Sequence, residues 1–159
     1  MARTTAAVAV MALGISAGAM LAEEMVLVPY WQSLPASEFL RWFAANEPRL
    51  VAFYGPLEVA AVAFTLLATV THAVRRRRGT GWLVLASVLV IGVLAVYPMY
   101  FQAVNARFVA GAIDASEVAT ELARWRTWQW LRVSLGVGAF IAAVAALLRA
   151  PAERRTRRS

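Results

Sequence analysis

Apolar residues fall in four long runs, Ala6 to Val28, Leu50 to Val74, Gly81 to Val104 and Trp128 to Leu148. Each is close to the roughly 20 residues a helix needs to cross a bilayer's hydrocarbon core. The pattern predicts an all-α protein: an integral membrane four-helix bundle forming one domain over residues 1–149, with a basic tail at 150–159. The connection from Tyr30 to Arg49 has a pattern of its own. Pro35 suits a first helical turn, and Phe39, Leu40, Trp42 and Phe43 cluster on one side of a segment ending near Pro48. This predicts a short interfacial helix on the outer leaflet. Between the third and fourth runs, Asp114-Ala-Ser-Glu117 has the acceptor-and-acid spacing of a helix start. A helix from Ala115 to Arg149 would be about 50 Å long and run unbroken into the fourth span. Arg75 to Thr80 leaves room only for a tight hairpin.

Composition agrees with this class. The chain is 61% apolar, against roughly 45–50% for soluble domains. It has no cysteine, which removes disulfides, thiolate metal sites and thiol redox pairs. All sixteen basic residues are arginine. Ten of them, Arg3, Arg75 to Arg78, Arg149, Arg154, Arg155, Arg157 and Arg158, share one side of the expected membrane with a single acid, Glu153. The two connections on the other side carry Arg41, Arg49, Arg107, Arg124 and Arg126 against Glu38, Glu47, Asp114, Glu117 and Glu121. By the positive-inside rule both termini are expected in the cytoplasm and the protein in the cell membrane as a multi-pass chain. The basicity is thus a topology signal, which argues against nucleic acid and for the lipid bilayer as partner. Arg3, an apolar stretch and Ala17-Gly18-Ala19 also imitate a cleavable secretory signal. Because the apolar pattern resumes from Met25 to Val28, retention of this segment as the first span is expected.

Candidate chemistry lies in charges that hydrocarbon disfavours. Glu58 sits inside the second run and Arg132 near the start of the fourth, and a lone ionised residue there costs on the order of 3 kcal/mol even on lenient scales. Both are expected to face the bundle interior and to have partners there. Counting inward at the helical rise places Glu58 roughly 12 Å below Leu50 and Arg132 roughly 6 Å below Trp128. Glu24 and Asn105 lie near the outer ends of the first and third spans, Tyr54 is one turn above Glu58, and Tyr97 and Tyr100 flank Pro98. Together these would line a cavity in the outer half. A simpler reading makes Glu58 and Arg132 a buried pair that fixes helix register. Trp31, Trp42, Trp125 and Trp130 read as interfacial belt residues, His72 as an interfacial residue rather than a ligand, and Gly14 with Gly18 as a weak close-packing motif. Glu24 and Glu58 alone do not support a metal site.

Asn105-Ala-Arg107-Phe108, an acidic helical segment, and then Trp125-Arg-Thr-Trp128-Gln-Trp-Leu-Arg132 resemble the anthrone oxygenase-like family of small four-helix membrane proteins. The specific part of the likeness is confined to the outer end of the third helix and the start of the fourth. Ala103 stands where that family typically has proline. The resemblance implies oxygenation of an anthrone, a fused phenolic tricycle, to an anthraquinone without a cofactor. Such chemistry needs a base, a group to hold the enolate and an apolar pocket that admits oxygen. Glu58 would be the base, Arg132 would hold the phenolate or developing superoxide, and Asn105 would orient a carbonyl. Tyr54, Tyr97 and Trp128 would stack on the rings. A tight Glu58–Arg132 pair would make Glu58 a poorer base, leaving Glu24 as the alternative.

Three functions therefore stand side by side. The first is an oxidoreductase acting on a lipophilic aromatic or quinone-like molecule. The second is a non-catalytic protein that binds a lipid or apolar ligand or supports a partner. The third is a small proton-coupled transporter, which would need a homo-oligomer to enclose a path.

Overall fold

A computed structural model describes residues 2–149 of the chain; the expected basic tail lies outside them. The described residues form four helical rods, Ala2–Ser33, Ala36–Val74, Thr80–Val109 and Val118–Arg149, each long and apolar enough to cross a membrane. The first rod consists of α1 (Ala2–Ala22), one π-helical turn (Glu23–Leu27) and α2 (Val28–Ser33). The second is α3 (Ala36–Val74). The third consists of α4 (Thr80–Val96), a second π-helical turn (Tyr97–Phe101) and α5 (Gln102–Val109), and the fourth is α6 (Val118–Arg149).

α1 packs against α3 and α6, and α4 packs against the same two helices. α3 and α6 therefore face each other across the bundle's diagonal and approach closely at few positions. At one end lie residue 2, residue 149 and the Arg75–Gly79 turn; this is the terminal end. The other two connections lie at the opposite, distal end.

The two ends have different cores. Ala9, Leu13, Ala61, Ala68, Leu83, Ala86, Ala139, Ala142, Ala143 and Ala146 fill the terminal half with small side chains. The hydroxyls here are satisfied locally: Thr65 donates to the Ala61 carbonyl at 2.7 Å, and Thr69 reaches the Ser87 hydroxyl at 2.8 Å. His72 is fully buried in this half, with Nδ1 3.0 Å from the Ala68 carbonyl, rather than interfacial. The distal core is aromatic, built on Trp31, Phe39, Phe43, Phe101, Phe108 and Trp125.

The expected interfacial helix is not a separate element. The chain turns at Leu34, held extended (ψ 145°) by the following Pro35, and α3 then runs through Pro48 and Pro56 for 39 residues, about 58 Å. Proline at 48 removes the amide that would reach the Ala44 carbonyl, but the turns before it are pinned by tertiary contact. Phe39 and Phe43 are both buried against Trp31 and Phe108. That burial, on the order of 1.5–3 kcal/mol per side chain, offsets the lost bond. At the other connection, α6 begins at Val118 after an Asp114–Glu117 turn, and it continues unbroken as expected.

The Gly14–Gly18 motif does not act as a pair. A Cβ at Gly14 would lie 3.1 Å from the Phe140 ring, whereas one at Gly18 meets nothing within 4 Å. The closest seam on that side is instead made by Gly136, against Met20 and Ala17. Gly79 closes the short hairpin at φ +96°, and a Cβ there would come 2.9 Å from the Ala146 carbonyl oxygen. Gly79→Ala should therefore cost about 1–3 kcal/mol, read as a lower midpoint in denaturant unfolding of the reconstituted protein.

Candidate functional site

Glu58 from α3 and Arg132 from α6 meet across the diagonal, each 5% exposed. Arg132 Nη2 donates to Glu58 Oε1 in a buried ion pair, and the guanidinium carbon stands 4.9 Å from the Phe101 ring centroid. Its other terminal nitrogen, Nη1, donates to Gln129 Oε1 at 3.0 Å. The Gln129 amide then donates through Nε2 to Glu23 Oε2 at 2.8 Å and to the Met20 carbonyl at 3.2 Å. A guanidinium on one side and a carboxylate on the other fix which way this amide points. The result is a buried relay, Glu58–Arg132–Gln129–Glu23, that ties three rods together.

The π-helical turn of the first rod brings Glu23 into this relay. The inserted residue, marked by the Val28 amide bonding to the Glu23 carbonyl, lets two consecutive acids both turn inward. Glu24 pairs with Arg126 at 2.7 Å, one turn of α6 before the residue that receives Glu23. Such turns are frequent at functional sites. The third rod has its own at the same end, containing Pro98, with the Gln102 amide bonding to the Tyr97 carbonyl.

Above the relay is a cavity of about 210 Å³. Glu23, Glu58 and Arg132 form its floor. Its walls are aromatic, from Trp31, Phe43, Tyr54, Tyr97, Phe101 and Trp125. Leu50, Val51, Gly55, Val59 and Leu94 lie toward the outside, and Glu47 and Asn105 complete the lining. Trp31, Trp125 and Phe101 form one continuous edge-to-face series, with centroids 5.3 Å and 4.9 Å apart. Trp125 Nε1 donates to Asn105 Oδ1 at 3.1 Å, which holds the wall to the third rod. Asn105→Leu should strand that indole N–H at a cost of about 1–3 kcal/mol, seen as reduced unfolding stability and a shifted tryptophan emission.

Of the residues singled out from sequence, Tyr54, Glu58, Tyr97, Asn105 and Arg132 converge on the cavity. Glu24 and Trp128 are not in its lining. Glu24 is held by Arg126, and Trp128 stacks on Tyr100 at 5.1 Å and 13°. Tyr100 in turn donates to Glu121 at 2.8 Å, which Arg107 and Arg124 also approach. Sequence reasoning passed over Glu23, Gln129, Trp31 and Trp125. Trp31 and Trp125 are buried core residues, 1% and 3% exposed, rather than belt residues, whereas Trp130 is exposed. An amide in an apolar run, one turn before a buried arginine, was the available signal for Gln129. Among the described residues no three histidine, cysteine or acidic side chains gather as a metal site.

No family model, no curated protein and no solved structure matches this chain.

Proposed function

We propose that this is a multi-pass protein of the cell membrane, an oxidoreductase that takes a lipophilic aromatic or quinone-like molecule into its distal cavity and acts on it there, oxidising it where it is an anthrone, as the anthrone oxygenase-like resemblance implies. The observation that carries this reading is the buried Glu58–Arg132–Gln129–Glu23 relay at the floor of an aromatic-walled cavity. The arginine distribution supports a cytoplasmic terminal end, and with it a cavity in the outer half of the bilayer.

For an anthrone the overall reaction is CH₂ + O₂ → C=O + H₂O. A carboxylate takes one proton from the methylene carbon, and the resulting carbanion passes one electron to dioxygen. The carbon radical and superoxide combine as a peroxide anion, which takes the proton back from the carboxyl to give the hydroperoxide, and loss of water leaves the carbonyl. Arg132 supplies positive charge near the developing anion. Glu58 is already engaged by Arg132, whereas Glu23 is held only by a neutral amide, so Glu23 takes the role of base. Oxygen uptake by the protein in nanodiscs with a hydroxylated anthrone tests this. The expected result is one dioxygen consumed per quinone formed, faster than in empty nanodiscs. Equal rates would reject the oxidation.

Non-catalytic binding of an apolar ligand is the second reading. It is favoured by the charge balance of the lining, where Glu23, Glu47 and Glu58 face a single cation, Arg132, leaving little positive potential for an enolate. In the same assay it gives saturable binding with the anthrone recovered unchanged. Transport is supported least, because small apolar side chains pack the terminal half.

A further inference from the structure

We infer that the cavity takes the head of a tailed amphiphile: one ring or two fused rings carrying acceptor oxygens, with an aliphatic chain that leaves sideways between α3 and α4 into the bilayer. This rests on the proposal that the cavity binds an aromatic molecule, and it names the class.

Size is the first argument. An apolar cavity of about 150 Å³ holds one benzene ring, so about 210 Å³ takes one ring or two fused rings. A third ring, or an aliphatic chain, would extend into the opening.

Second, the cavity opens sideways. Val51 and Val59 belong to its lining yet are 42% and 56% exposed. Gly55 lies between them on α3, and a Cβ there would meet nothing within 4 Å. Leu94 and Tyr97 stand on the other side of the gap. This stretch belongs to the second apolar run, and Phe53 beside it is 58% exposed. The gap therefore faces acyl chains rather than water, and a chain lying in it would be solvated by lipid.

Third, two buried donors of the lining lack an acceptor. Among the described residues, Trp31 Nε1 and Arg132 Nε are buried without an acceptor, and both side chains line the cavity. They flank the wall that runs from Trp31 through Trp125 and Phe101 to Arg132. One oxygen of each carboxylate is engaged, Glu23 Oε2 by Gln129 and Glu58 Oε1 by Arg132. A buried donor without an acceptor costs about 1–3 kcal/mol. A head group with two acceptor oxygens, such as a quinone, relieves both, whereas an amine relieves neither.

Saturable quenching of the six tryptophans in nanodiscs tests this, with affinities expressed as mole fraction in the bilayer. The probes are a benzoquinone carrying a ten-carbon chain, the same quinone with a methyl group instead, and an anthrone. Gly55→Leu fills the gap, and Gly18→Leu, on an open, exposed face of α1, controls for added bulk. The decyl quinone should bind at least tenfold tighter than the methyl quinone. Gly55→Leu should weaken the decyl quinone at least tenfold and the methyl quinone less than twofold, which also shows that the variant's cavity is intact. Gly18→Leu should change neither. Equal binding of both quinones, or a Gly55→Leu protein that binds the decyl quinone normally, overturns the sideways chain. Preference for the anthrone overturns the head-group class while leaving the proposed function standing. No saturable quenching by any probe overturns the cavity reading beneath both.

Discussion

Arg132→Leu is expected to lower the stability of the bundle by about 3–5 kcal/mol, the usual penalty for removing one partner of a buried ion pair. The loss has named parts. Glu58 would remain 5% exposed with no counter-charge, and the Gln129 oxygen would lose its donor. Unfolding of the reconstituted protein in mixed micelles, followed by far-UV dichroism, would measure it. The double variant Glu58→Leu with Arg132→Leu should regain most of that stability, because two apolar side chains of similar reach can replace a pair whose desolvation consumes much of its own attraction. Binding of quinone or anthrone probes should not return with it. A double variant that regains both stability and binding would reduce the pair to a register device.

Glu23→Gln is expected to reduce turnover 10²- to 10⁴-fold, the usual contribution of a general base, while the helical content stays unchanged. A glutamine at 23 keeps a carbonyl for the Gln129 amide to bond, so the relay's geometry survives and only the proton acceptor is lost. Glu24→Gln provides the contrast. Glu24 bonds an arginine whose side chain is 42% exposed, so that variant should show a small loss of stability and none of the effect expected at Glu23. Oxygen uptake by both variants, with dichroism as the folding check, separates the two acids. Equal loss of turnover in both would remove Glu23 from its role.

Much of this architecture was legible in the sequence. Glu58 and Arg132 stood out because an apolar run makes any charge conspicuous, and the cost of burying one predicts its partner. The unbroken α6 followed from a periodic pattern with no break after Glu117. Other features were hidden for identifiable reasons. Hydropathy does not record an inserted residue within a turn, so the π-helical turn that directs Glu23 rather than Glu24 to the cavity left no mark. Pro48 read as an end to the preceding segment. Its penalty is local, however, while the burial of Phe39 and Phe43 that outweighs it depends on Trp31 and Phe108 from other rods. Trp31 and Trp125 looked like belt residues because position along a span gives depth but not which face of the helix turns inward.

The central claim is that the distal cavity holds an aromatic, acceptor-bearing molecule against Arg132. The most direct measurement purifies the protein in mild detergent, records its absorbance, and identifies what it carries by extraction and mass spectrometry, alongside the Glu58→Leu, Arg132→Leu double variant. The account predicts a quinone or phenolic compound with the wild-type protein and its loss from the double variant. Bulk phospholipid alone in both, with no chromophore, would contradict it.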